Sequence, residues 1–201
     1  MSILILVRHG QSIYNVENRF TGTVDIGLTQ LGKAESHEAG KKLINYKFNF
    51  AFTSTLIRAQ QSLIIILNEI NQPNIDIIED KALNERDYGS LQGLNKAETA
   101  TKYGSEQVEI WRRSFDVCPP GGESLKDTFD RVIPFYKENI ESKLKENKNI
   151  LIVAHGNSLR ALVMYLEKIN ELDVATLNIP TGIPKKYIID ENLNILEFGY
   201  L

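Results

Sequence analysis

The chain has 201 residues, 42% hydrophobic and 24% charged, with a formal net charge of -3. This is an ordinary globular composition with material for one good core, read here as a single domain over 1–201. The negative balance excludes a general polyanion binder such as a nucleic-acid protein, and one cysteine, Cys118, excludes an internal disulfide. No apolar run is long enough to span a bilayer and no leader pattern opens the chain, so a cytoplasmic location without membrane attachment is expected.

The elements alternate. Ile3–Val7 is apolar on both faces, as a central parallel strand requires. Residues 29–45 read as a helix with Leu31, Ala34, Leu43 and Ile44 on one side. Phe50–Thr53 forms a second strand, residues 56–70 a helix, and Ile75–Ile78 a third strand. Asn95 with Glu98 caps a short helix that stops at Gly104, and Ser124 with Asp127 starts another. Leu125, Phe129, Val132, Ile133, Tyr136, Ile140 and Leu144 carry that helix, with a kink predicted at Pro134. Ile150–Ala154 is a fourth strand with a helix over 158–169 behind it. Tyr187–Ile189 and Ile195–Phe198 close the chain as a hairpin around Asp190, Glu191 and Asn192. Strand and helix in alternation predict an α/β three-layer sandwich, a mostly parallel central sheet with helices on both faces.

In such sheets a site lies beyond the carboxyl ends of the strands. His9 directly follows the first strand and His155 the fourth, while Ser54 and Arg58 follow the second. A lone histidine at a strand end is usually a surface or capping residue. Here the arrangement of strand, histidine and glycine occurs twice, as Arg8-His9-Gly10 and His155-Gly156-Asn157. A neutral imidazole is a good nucleophile toward phosphorus, and a neighbouring arginine both grips phosphoryl oxygens and disfavours imidazolium. His37, in mid-helix, reads as structural. Arg58, Arg86, Lys96, Arg112 and Arg113 supply cations that, grouped near two histidines, describe a pocket for a substrate with several negative charges. Glu85 among them is either a structural ion-pair partner or a general acid and base. No metal-ligand spacing occurs, and Gly27–Lys33 fails as a phosphate loop because Ala34 replaces the hydroxyl residue that would hold magnesium.

Leu6-Val-Arg-His-Gly-Gln-Ser12, Asn15 and Arg19-Phe-Thr-Gly22 resemble the N-terminal signature of the histidine phosphatase superfamily. Residues 83–98, Ile110-Trp-Arg-Arg-Ser114, residues 154–161 and residues 178–184 are similar to the 2,3-bisphosphoglycerate-dependent phosphoglycerate mutases within it, over nearly the whole chain. The resemblance implies interconversion of 3-phosphoglycerate and 2-phosphoglycerate in glycolysis and gluconeogenesis, without metal, primed by 2,3-bisphosphoglycerate. By it His9 is the phosphorylated nucleophile and Glu85 the proton donor and acceptor. Arg8, Arg58 and His155 hold the transferring phosphoryl group, assisted by Ser12, Asn15, Gly156 and Asn157. Thr21, Gly22, Tyr88, Lys96, Arg112 and Arg113 bind the rest of the phosphoglycerate. A homo-oligomer, by preference a dimer, is implied as well. The sequence departs from the family pattern at Tyr14, where Trp is usual, and at Lys185-Lys186, which replaces an apolar pair. The connection between Arg113 and Glu123 is also shorter than in the longer mutases. A phosphatase of the same superfamily would share His9, Arg8, Arg58 and His155 and differ in what grips the far end of its substrate.

Overall fold

A computed structural model describes residues 1–201. Its strands are β1 (Ser2–Arg8), β2 (Phe50–Thr53), β3 (Asp76–Glu79), β4 (Ile150–Ala154), β5 (Lys185–Ile189) and β6 (Ile195–Tyr200). They form one sheet in the order β3-β2-β4-β1-β5-β6. β1, β2, β3 and β4 run parallel, and β5 and β6 return antiparallel as the expected hairpin. The helices are α1 (Ile13–Val16), α2 (Gln30–Lys42), α3 (Ile57–Glu69), α4 (Lys96–Tyr103), α5 (Ser105–Arg113), α6 (Leu125–Asn139), α7 (Glu141–Lys145), α8 (Gly156–Glu167) and α9 (Glu171–Val174).

The strand period of two sorts the core into layers. Leu4, Leu6, Phe52, Ile150 and Ile152 point to one face and pack with Val132, Tyr136, Leu162 and Val163 of α6 and α8. Ile5, Val7, Ala51, Leu151 and Val153 point to the other and meet Ala39, Leu63, Ile66 and Leu67 of α2 and α3. All five residues of β4 are buried, which explains why its sequence is apolar throughout instead of alternating. The sandwich predicted from the sequence is thus the fold observed.

Several local expectations change. α2 does not bury the face of Leu31, Ala34, Leu43 and Ile44; Leu31 is 55% exposed and Ile44 50%, and of the four only Leu43 is fully enclosed. The helix instead presents Gly32, Ser36, Ala39 and Gly40 inward. Small residues are needed because α2 lies very close to its neighbours. A Cβ on Gly32 would fall 2.1 Å from the carbonyl oxygen of Gln11, and one on Gly40 would fall 2.5 Å from Cβ of Glu69. α6 runs through Pro134 and breaks later, at Ile140, where α7 begins. α8 begins at Gly156, two residues before the predicted start, with His155 as its N-cap. α5, carrying Trp111, Arg112 and Arg113, is an additional helix, separated from α4 by Gly104 at φ 88°.

On β5, one strand in from the edge, Lys185 is buried and pairs with Glu167 at 2.6 Å, over the rings of Tyr187, Phe198 and Tyr200. The Tyr187 hydroxyl donates to the same carboxylate. On the opposite face of the strand, Lys186 pairs with Glu197 at 2.9 Å.

Gly32→Ala separates propensity from packing. Alanine gains about 1 kcal/mol in an open helix interior, whereas overpacking costs about 1–3 kcal/mol. Because the atom met is backbone, the variant should be the less stable one, read as a lower urea midpoint with an unchanged slope; a higher midpoint would show that α2 can slide away.

Candidate active site

Parallel pairing of β1 with β4 sets Arg8 opposite Ala154, so the residues that follow, His9 and His155, leave the sheet side by side. Their ring centroids are 4.9 Å apart at an interplanar angle of 62°. Both are buried, and desolvation followed by the charge of Arg58 drives each imidazole well below its ordinary value; Arg8 adds to this in both cases. They are neutral at physiological pH.

A hydrogen bond fixes the tautomer of His9. His9 Nδ1 lies 2.6 Å from the carbonyl oxygen of Gly10, which can only accept, so Nδ1 carries the proton. Nε2 therefore keeps its lone pair, and Arg58 Nε donates to it at 3.3 Å. For His155 the neighbour is Ser54. Leu56 N–H donates to Ser54 Oγ at 3.2 Å, and that hydroxyl lies 2.6 Å from His155 Nε2, where it can donate or accept. His155 Nδ1 is buried and without a partner, as is Nε of Arg8. In the tautomer in which the hydroxyl donates, Nδ1 is an N–H, and two donors so placed are costly unless an acceptor arrives. Beside His9, they suit the oxygens of a phosphoryl group.

Arg58 opens α3 from a fully buried position. Its Nη1 donates to the Val24 carbonyl at 2.9 Å and Nη2 to that of Gly22 at 2.8 Å, and burial lowers its pKa to about 10, leaving it charged at neutral pH. Arg8 Nη1 donates to the Ile179 carbonyl at 2.8 Å. Both guanidinium groups are therefore fixed by backbone oxygens, and neither is in ion-pair contact with a carboxylate.

Glu85 is held in a way that favours chemistry over an ion pair. It forms no salt bridge. Oε1 accepts from Arg86 N–H at 2.9 Å and from Asn157 N–H at 3.0 Å, the latter at the N-terminus of α8. Gly156 sits between the key groups, since a Cβ there would lie 3.5 Å from both Glu85 Oε2 and the Arg8 guanidinium.

Above this floor opens a cavity of about 200 Å³. Arg8, Arg19, Lys96, Arg112, Arg113 and Arg160 line it, and Glu85 is the only carboxylate; two of its fifteen lining residues are hydrophobic, so a charged ligand is what it can desolvate. Burial lowers the pKa of Lys96, with Arg112 the next cause, and burial brings Arg160 down to about 10, with Arg113 next. The cations thus repel one another, and an entering anion relieves that repulsion.

Asn15, Thr21, Gly22, Glu85, Tyr88, Lys96, Arg112, Arg113, Gly156 and Asn157 all face this cavity with Arg8. His9, Arg58 and His155 lie buried beneath it. Ser12 does not face it; its hydroxyl donates to Asn15 Oδ1 at 3.0 Å and so acts through Asn15. His37 lies apart, paired with Glu69. No group of three or more His, Cys, Asp or Glu is arranged to hold a metal, and no helix is long and apolar enough to cross a membrane.

A model of the histidine phosphatase superfamily (branch 1) matches residues 4–190. A 2,3-bisphosphoglycerate-dependent phosphoglycerate mutase of Cytophaga hutchinsonii is 53% identical over 201 residues, covering 100% of this chain and 94% of the relative. One of Rhizobium rhizogenes is 50% identical, covering 96% and 92%. The chain belongs to the 2,3-bisphosphoglycerate-dependent phosphoglycerate mutase family of that superfamily. Among solved structures, a mycobacterial glucosyl-3-phosphoglycerate phosphatase superposes with a TM-score of 0.84 at 24% identity, covering 100% and 97% of the two chains. The alpha-ribazole phosphatase from Shigella flexneri gives 0.81 at 22% identity, covering 95% and 92%. At those identities the likeness shows the shared fold.

For this family member the structure adds residues to which the sequence reading gave no role. Arg160, one turn into α8, donates to Asn157 Oδ1 at 3.0 Å and to the Leu177 carbonyl at 3.0 Å, and it lines the cavity with Asn178. Its i,i+3 spacing from Asn157 was the available signal. Arg86, grouped with the pocket cations in the sequence, does not line the cavity; it is wholly buried and caps the end of α5 through the carbonyls of Trp111 and Arg112, each at 3.0 Å. The short connection before Glu123 packs directly on the Tyr88 loop: Ser90 N–H donates to the Pro120 carbonyl at 3.0 Å and Glu123 N–H to that of Asp87 at 2.8 Å.

The two depressed histidines make stability fall in acid. The unfolded chain takes up their protons near pH 6.5 while the folded chain does not, so their contribution is complete above that pH and is lost as pH drops. Each should add about 1.4 kcal/mol per pH unit to the slope below pH ~6. Urea unfolding of the protein and of His155→Asn across that range measures it; an unchanged slope in the variant would mean that His155 is protonated in the fold.

Proposed function

We propose that this protein interconverts 3-phosphoglycerate and 2-phosphoglycerate through a phosphohistidine at His9, primed by 2,3-bisphosphoglycerate and independent of metal. The observation that carries the reading is the buried, neutral His9, its Nε2 lone pair directed and unprotonated, set beneath a cavity with six cations and one carboxylate. The names of relatives about half identical over nearly the whole chain support the same activity. A bisphosphorylated glycerate carries three anionic groups, which suits the cation excess and the unpartnered donors of Arg8 and His155.

In the first half-reaction His9 Nε2 attacks phosphorus while Arg8, Arg58 and the Nδ1–H of His155 meet the charge on the equatorial oxygens. Those donors are fixed before reaction, so positioning and electrostatics supply most of the acceleration. The P–O bond to the glycerate breaks as the N–P bond forms, and the departing oxygen takes a proton from Glu85. In the second, the free hydroxyl of 3-phosphoglycerate gives its proton to Glu85 and attacks phosphorus, the N–P bond to His9 breaks, and the bisphosphate so formed turns in the site and returns its other phosphoryl group to His9, leaving 2-phosphoglycerate. Lys96, Arg112, Arg113, Tyr88 and Asn157 hold the glycerate end through its reorientation, with Asn15, Thr21 and Gly22 on the facing wall. Water is the competitor, because its attack on phosphohistidine would give a phosphatase. The packing of the short connection on the Tyr88 loop supports exclusion of water at that wall.

The test is conversion of 3-phosphoglycerate with chelator present, with and without 2,3-bisphosphoglycerate. Stimulation by the bisphosphate and indifference to chelator are expected; release of phosphate without isomer would place the protein among the phosphatases. His9→Ala should abolish acid-labile phosphoenzyme while leaving the circular dichroism unchanged, and persisting turnover would remove His9 from the mechanism. Arg112→Ala, which removes one charge-assisted grip of about 1.5–3 kcal/mol, should raise KM roughly tenfold to hundredfold; an unchanged KM would take Arg112 out of the grip.

A further inference from the structure

Glu85 can serve both half-reactions only if its carboxyl group stays put while two different oxygens come to it. Its side chain is anchored through Oε1, and its backbone is held by residues that do not line the cavity. Arg131 of α6 grips Glu123, the residue before the α6 N-cap, with Nε at 3.0 Å from Oε1 and Nη2 at 2.9 Å from Oε2. The same guanidinium donates from Nη1 to the Ala82 carbonyl at 2.7 Å and from Nη2 to the Glu85 carbonyl at 3.2 Å. Glu123 completes the ring: Oε2 accepts Asp87 N–H at 3.1 Å, and its own N–H donates to the Asp87 carbonyl at 2.8 Å. The segment 82–87 is thus tied at three residues, one on each side of Glu85 and Glu85 itself.

The close fit of two glycines keeps the arrangement tight. A Cβ on Gly122 would lie 2.6 Å from the Asp87 carbonyl oxygen, and one on Gly89 would lie 2.3 Å from that of Pro120. Pairs this exposed, 24% and 29%, add little to stability as ion pairs. The fork therefore does more by geometry than by stability, since a carboxyl displaced by about 1 Å loses much of its catalytic value.

We propose that Glu123 and Arg131 are positioning residues for proton transfer by Glu85, an inference that rests on the reading of Glu85 as acid and base. The distinguishing property is the leaving group. When His9 takes a phosphoryl group from a glycerate ester, the departing alkoxide needs the proton of Glu85. A dinitrophenyl ester departs as a stable phenolate and needs none. Loosening the belt should slow the first reaction and spare the second, whereas general damage to the pocket would slow both.

The experiment uses the full chain and single-turnover phosphorylation of His9 by 2,3-bisphosphoglycerate and by 2,4-dinitrophenyl phosphate, in Glu123→Gln and Arg131→Lys with Glu85→Gln as reference. Glu123→Gln keeps shape and carries the test if Arg131→Lys does not fold. With the bisphosphate the rate should fall about tenfold or more, and with the aryl ester it should stay within about threefold. Adding Glu123→Gln to Glu85→Gln should cost nothing further, because both remove the same step. Equal losses with both donors, or no loss with either, would overturn the proposal. A Glu85→Gln enzyme with no selective loss would overturn the Glu85 assignment first, and the proposal with it.

Discussion

Desolvation of two imidazoles at the ends of neighbouring parallel strands is the constraint on which the remainder of this structure depends. β1 and β4 pair in register, so His9 and His155 leave the sheet together and are enclosed together. Enclosure makes them neutral bases, and two nearby guanidinium groups keep them so. Neutrality alone would leave the tautomers open. The Gly10 carbonyl settles that of His9, leaving Nε2 its lone pair, and the Ser54 hydroxyl, when it donates to Nε2, makes Nδ1 of His155 an N–H. Acceptor and donor chemistry come from the same residue type because their neighbours differ.

That enclosure dictates the surroundings. The turn after β1 must pass very close to α2, which is why Gly10 and Gly32 face each other and why α2 turns small residues inward. Arg8 and Arg58 are anchored by carbonyls of loops, so those loops are part of the phosphoryl site as surely as the side chains are. The glycerate end is built differently, from α4, α5 and α8, whose cations repel one another and whose helix ends are fixed by Asn95, Arg86 and His155.

Much of this was legible in the sequence, for identifiable reasons. The strands announced themselves because buried parallel strands tolerate little but β-branched and aliphatic residues, and the histidines stood where such strands stop. Capping pairs at Asn95 and Ser124 placed α4 and α6 correctly. The face of α2 was hidden because apolar periodicity marks ordinary helix packing, whereas contact at glycine distance is marked by smallness. α5 was hidden by its charge: Glu109, Arg112 and Arg113 look like a solvated stretch until the cavity gives the two arginines a purpose. Glu85 stayed open between ion-pair partner and general acid because the sequence lists its cationic neighbours and cannot show that its bonds come from backbone N–H groups. Ser54 was marked only by its place after β2, and Arg131, which acts through other residues, by no motif of its own.

The hairpin that ends the sheet has a meaning beyond its own energy. Side chains alternate along β5, so Lys185, Tyr187 and Ile189 turn to the helical side while Lys186 turns to the other and reaches Glu197. A slip of one residue against β1 would carry Tyr187 and Ile189 out of the core, and the Tyr187 hydroxyl would lose the Glu167 carboxylate that it shares with Lys185. Adjacent lysines are alike and discriminate little between registers, whereas a tyrosine flanked by Lys186 and Ile188 fits its slot only once. Tyr187 therefore works as the tooth of a key, which lets the terminal hairpin close on β1 in a single alignment.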